Sequence, residues 1–178
     1  MKFFDLKCFY IVGDIKEHKE NKIKLIRCID AMPQSYVTNT KEKIKTDWNI
    51  PKEYQRDYLG IFHAMIKPYV EEMAEKLKCP HWEVSNCWYQ VYDKGGKHDW
   101  HTHPHANYTN VYYLSLPNKS IKTQLYDVVS ESIVENIEVE EGQVLTFPAS
   151  VIHRSPVNET DGKKMIISFN TNFDSPVM

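Results

Sequence analysis

The chain has 178 residues, 42% hydrophobic and 26% charged, the proportions of a protein that folds around a core rather than staying disordered. Lys and Arg number 22 against 24 Asp and Glu, a net charge of -2. That balance excludes the basic excess typical of nucleic-acid and anionic-membrane proteins, and no apolar run nears the roughly 20 residues of a membrane span.

This length suits one domain, residues 1–178. It should divide into N-terminal strands with helical support over 1–80 and a β-rich core over 82–172. The first residues lack a secretory core, so a cytoplasmic setting in the producing or infected cell is expected. The first thirty residues read as two short strands, Cys8 to Val12 and Ile23 to Ile29. A polar stretch, Pro33 to Pro51, follows, with Trp48 expected to dock on the body. Glu53 to Leu77 is helical: Leu59, Phe62, Met65, Ile66, Tyr69, Val70, Met73 and Leu77 recur at spacings of three and four, with Pro68 as a kink or break. From Trp82 the pattern turns to period two. The strands expected are Glu83 to Tyr92, Tyr108 to Leu116, Ile121 to Val128, Glu135 to Val139, Gln143 to Phe147, His153 to Val157 and Met165 to Asn170. Gly95-Gly96, Pro117-Asn118, Glu141-Gly142 and Asn158 to Lys163 are the turns. Short strands in close succession indicate a sandwich or barrel, so the fold class is mainly β with α+β character. Cysteines 8, 28, 79 and 87 form no C-x-x-C pair and read as free thiols.

Eight histidines are present, four of them between His98 and His105. Residues two apart on an extended chain point to one side, so His101 and His103 converge. His153, just past the turn-strand-Pro unit Gly142 to Pro148, is the candidate third ligand. Imidazole suits Fe, Zn, Cu and Ni, so histidines alone leave the metal open. Asp99 alternates with His101 and His103, which makes His101, Asp99 and His153 the alternative set.

At these residues the chain resembles the Fe(II)/2-oxoglutarate-dependent oxygenases of prolyl-hydroxylase-like type. An aromatic strand, Trp88 to Tyr92, leads through Gly95-Gly96 to His101-Thr102-His103, where that family usually shows H-x-D. Closer still is a small group of oxygenase-like proteins from marine bacteria and their phages. Its pattern is met here by His101-Thr102-His103-Pro104, Val111-Tyr112-Tyr113-Leu114, Gly142…Phe147-Pro148-Ala149-Ser150…His153 and Ser168-Phe169-Asn170. The likeness spans residues 82–172.

The resemblance implies a double-stranded β-helix, or jelly roll, with supporting helices. It implies a dioxygenase that hydroxylates its substrate using Fe(II), 2-oxoglutarate and O2. His101, His103 and His153 would hold the iron. A basic residue on the last strand would bind the far carboxylate of 2-oxoglutarate. That residue is usually Arg followed two positions on by a hydroxyl; here Lys164 is followed by Ile166, with Ser168 two further. Arg154 is the rival anchor, and Tyr92 and Tyr113 are candidate hydroxyl donors. Trp88, Trp100, Tyr108 and Tyr112 are candidates for the substrate mouth. The substrate, a small molecule or a peptide, is open, as is a homodimer. Two alternatives stand beside this reading. Gly142, Pro148 and His153 also resemble the second cupin motif, so a three-His dioxygenase of thiol-dioxygenase type is one. A non-catalytic jelly-roll module with a metal in a structural role is the other.

Overall fold

A computed structural model describes residues 8–33, 38–39, 42–134 and 136–174. The chain begins with strand β1 (Ile11–Asp14), helix α1 (His18–Asp30), the short strands β2 (Thr38–Asn39) and β3 (Ile44–Thr46), and helix α2 (Asp57–Leu77). Then follow β4 (Trp82–Tyr92), β5 (His98–His101), β6 (Tyr108–Ser115), a 3-10 turn at Lys119–Ile121, β7 (Gln124–Asp127), β8 (Ser132–Ile133), β9 (Gln143–Pro148), β10 (Ile152–Ser155) and β11 (Lys164–Phe173).

The strands form two antiparallel sheets. The larger runs β1-β9-β6-β11-β4-β3-β2 and the smaller β5-β10-β7-β8. Period-two patterning gives the larger sheet two apolar faces. Met165, Ile167 and Phe169 of β11, with Tyr89, Val91, Tyr112 and Leu114, meet Leu25, Ile29, Phe62, Ile66 and Val70 of the helices. The alternate residues Tyr92, Val111, Tyr113, Leu145, Phe147 and Ile166 face inward and pack with Leu125 of the smaller sheet. The result is a jelly roll with two helices over one wall. Among the described residues no helix is long and apolar enough to cross a membrane.

Helix α2 keeps Pro68 within one continuous element and ends at Lys78 in a left-handed conformation, φ 56°, a common way to stop a helix. Gly142 takes φ +87° in the turn before β9, where a Cβ would come 2.9 Å from the His18 ring, so both backbone and space ask for glycine there. Asp47, 1% exposed, ties the turn after β3 to the body. Its carboxylate accepts from Arg56 Nε at 3.0 Å, Tyr58 Oη at 2.6 Å and the Tyr89 amide at 2.9 Å.

Several sequence expectations need correction. Ile23 to Ile29 is not a strand but the body of α1. His18, Leu25 and Ile29 are the residues it buries, and the spacing of four between Leu25 and Ile29 marks a helical face. Cys28 therefore sits on a helix. Glu135 to Val139 forms no strand among its described residues; Ile137 and Val139 are buried without a ladder partner. β1 starts at Ile11, three residues later than expected, and joins the large sheet beside β9. The stretch expected to be only polar loop holds β3, which pairs with β4; residues 34–37 and 40–41 of it lie outside the described set.

Candidate metal centre

The pairing of β10 with β5 sets His153 directly opposite His101. His103 lies two residues past His101, where the chain stays extended and its amide donates to the Ala149 carbonyl at 3.0 Å. Same-side projection of residues two apart then adds the third ring. Ring centroids are 5.1 Å apart for His101 and His103, 4.2 Å for His101 and His153, and 4.9 Å for His103 and His153. One nitrogen from each lies within 4.8 Å of the others.

Hydrogen bonds select which nitrogen that is. His101 Nδ1 lies 2.8 Å from the Asp99 carbonyl and His153 Nδ1 2.9 Å from the Val151 carbonyl. A carbonyl oxygen only accepts, so each Nδ1 carries the proton and the lone pair is left on Nε2. His103 Nδ1 is held 2.8 Å from Asn170 Oδ1 and 2.9 Å from Thr109 Oγ1. This is the outer support that orients metal-ligating histidines. Burial pushes His153 down to about 3, and lowers His101 and His103 as well. All three rings are neutral at neutral pH, as ligands must be.

Asp99 is not in the cluster. Its carboxylate pairs with Lys97 Nζ at 2.8 Å on the exposed side of β5, and only its backbone carbonyl serves the site. His98 stacks on His101 at 4.0 Å but points its nitrogens elsewhere, Nδ1 to Gln90 Nε2 at 3.1 Å and Nε2 toward Glu42 at 3.7 Å.

The candidate cosubstrate residues separate by face. Lys164 is fully enclosed between the sheets. Its Nζ donates to the Ile121 carbonyl at 2.6 Å and Ser155 Oγ at 2.8 Å, under the rings of Tyr92 at 4.9 Å and Tyr113 at 5.9 Å. Burial lowers its ammonium from 10.5 to about 7. Tyr92 is tied to Ser155, and Tyr113 Oη accepts the Thr123 amide at 3.0 Å. Ser168, on the inner side of β11 with Lys164, lines a space beside the histidines of only about 20 Å³, on the order of one water. Arg154 also borders that space, but its guanidinium is turned to the Trp100 ring at 4.4 Å and its Nε donates to Gln124. Of the aromatic residues expected at the mouth, Trp88 stands 5.5 Å from His103. Tyr112 instead packs under the helices, bonded to His18, and Tyr108 meets Phe9 and Phe173.

Outside the histidines a groove of about 590 Å³ opens, bounded by Glu42, Trp48, Asn49, Asn86 and Trp88. Sequence reasoning had no role for Asn170, Thr109, Ser155 or Gln90. Asn170 closes the Ser-Phe-Asn pattern and was visible as a motif; the other three carry no sequence signal, since only strand pairing turns them inward.

No protein-family profile and no curated protein sequence matches the chain. Solved structures do. A prolyl-4-hydroxylase from Pseudomonas putida aligns with TM-score 0.62 and 11% identity over 93% of this chain and 92% of its own. A viral collagen prolyl hydroxylase from Paramecium Bursaria Chlorella virus-1, in complex with 2-oxoglutarate, aligns with TM-score 0.61 and 13% identity over 96% and 97%. A 2OG-Fe(II) oxygenase family oxidoreductase from Burkholderia pseudomallei aligns with TM-score 0.68 and 8% identity over 92% and 85%. At these identities the likeness is one of fold: the chain has the jelly-roll fold of 2OG-Fe(II) oxygenases.

Proposed function

We propose that this protein is an Fe(II)- and 2-oxoglutarate-dependent dioxygenase acting as a hydroxylase, with iron held by His101, His103 and His153. The observation that carries this reading is the convergence of three neutral imidazoles, their Nδ1 atoms bonded to oxygen acceptors, inside the roll of this fold. The donor set fits the metal: three neutral imidazoles within reach of one point suit iron, as they suit other first-row ions, and Asp99 is turned away to Lys97.

Bound there with 2-oxoglutarate and O2, the iron supplies the oxidation, in which a substrate C–H becomes C–OH while 2-oxoglutarate loses CO2 and becomes succinate. The chain's own residues do the rest. Asn170, Thr109 and the carbonyls of Asp99 and Val151 hold the rings in place. We assign Lys164 as the anchor for the far carboxylate, since it shares the inner side of β11 with Ser168 while the Arg154 guanidinium is turned away to Trp100 and Gln124. A carboxylate beside Lys164 favours its protonated form, so binding takes up a proton from solvent near neutral pH. The space beside the histidines is smaller than 2-oxoglutarate, so Gln90, His98 and Ile166, which line it, give way on binding. Tyr92 and Tyr113 keep their hydroxyls engaged with Ser155 and Thr123 and act as walls around the ammonium.

The test is direct. Anaerobic Fe(II) and 2-oxoglutarate should give a visible charge-transfer band, and admission of O2 should yield succinate. Iron binding with neither band nor succinate would refute the proposal.

A further inference from the structure

Trp48 is 57% exposed, an unusual setting for an indole, yet it is held firmly. The preceding Asp47 is pinned from three sides, and the Trp48 amide donates to Thr46 Oγ1 at 3.2 Å. Its ring centroid lies 4.7 Å from that of Trp88 at an interplanar angle of 75°. The two indoles meet edge to face, and Trp88 is only 6% exposed and also contacts His103, so the open indole surface beside the metal centre is that of Trp48. Glu42 shares the same groove, and its carboxylate approaches His98, whose ring stacks on His101. Among the described residues lining the groove, Glu42 is the only carboxylate and there is no Lys or Arg.

This chemistry discriminates between ligands. An anionic group meets the Glu42 carboxylate and the exposed Trp48 ring, with no Lys or Arg among the described lining residues. A cation gains from each: indole is the best aromatic partner for a positive charge, and Glu42 adds a charge of opposite sign within the same 590 Å³. We infer that the groove takes a substrate bearing an alkylammonium group, seated against the Trp48 indole with Glu42 in the same wall, so that carbons near the nitrogen are presented to the histidine centre. The chemistry done on that substrate rests on the proposed oxygenase reading; its binding does not.

The experiment is a calorimetric titration of the full chain with four probes. Choline is compared with its uncharged isostere 3,3-dimethylbutan-1-ol, and a capped lysyl tripeptide with its norleucyl counterpart. At least one ammonium probe should bind about tenfold more tightly than its isostere. Preference for choline alone identifies a free small molecule, and preference for the lysyl peptide a peptide side chain. In Trp48→Ala the preference should fall to parity, and in Glu42→Gln it should shrink several-fold. Parity of both ammonium probes with their isosteres in the unmodified protein, or an unchanged preference in either variant, would overturn the inference. The Fe(II)–2-oxoglutarate band reports on the other reading: a band without ammonium preference sinks only this inference, while preference without a band sinks only the oxygenase.

Discussion

Lys164→Met tests the enclosed ammonium and its assigned role together. In the folded chain burial draws this group from 10.5 down to about 7, while an unfolded chain holds the proton up to the ordinary lysine value. Between those two values the unfolded state therefore binds one more proton than the folded state, and stability rises with pH. One proton corresponds to about 1.4 kcal/mol per pH unit, so the native protein gains roughly 2.7 kcal/mol from this residue between about pH 7.5 and 9.5. Methionine fills similar space without a charge and has no such slope. It leaves the Ile121 carbonyl and the Ser155 hydroxyl without their donor, at a cost on the order of 1–3 kcal/mol that does not vary with pH. The remaining groups titrate alike in both proteins. Urea unfolding at the two pH values should then show the difference between variant and native protein moving by about 2.7 kcal/mol in the native protein's favour at the higher pH. A difference that stays constant to within about 0.5 kcal/mol would refute the claim that Lys164 titrates low. The same variant should lose about tenfold to a hundredfold in 2-oxoglutarate affinity, the worth of a charged hydrogen bond; unaltered affinity would remove Lys164 as the anchor.

Removal of one proposed ligand by His153→Ala should lower Fe(II) affinity at least a hundredfold in an equilibrium metal titration, whereas Asp99→Ala should leave it within about twofold. Asn170→Ala frees His103 Nδ1 from its nearer acceptor and should weaken iron about tenfold to a hundredfold; retention equal to the native protein would show that Thr109 alone holds the ring. Asp47→Ala strands the partly buried Arg56 guanidinium and the Tyr89 amide, and should cost about 3–5 kcal/mol in urea unfolding. A loss under about 1 kcal/mol there would mean that the turn bearing Trp48 is held by other contacts.

The β-rich rear of the molecule was legible because its information is local. Alternation along each strand from β4 to β11 shows which residues share a face, and spacings of three and four show the apolar stripe of α2. Local reading failed where two periods fit the same letters. Ile23 to Ile29 supports alternation, yet Leu25 and Ile29 also share a helical face, and burial against α2 and the large sheet decides for the helix. Ile137 and Val139 alternate like a strand but find no ladder to join.

The candidate site divides the same way. Histidine as ligand type, and the same-side projection of His101 and His103, follow from composition and from the geometry of an extended chain. Which distant residues meet them does not. That His153 lies opposite His101, that Asn170 and Thr109 reach His103, and that Lys164 faces inward while the Arg154 guanidinium is turned away to Trp100 and Gln124, all depend on strand register and on which side of a sheet each chain segment presents. Those are settled by pairing between segments tens of residues apart, where a slip of one residue turns every side chain to the opposite face.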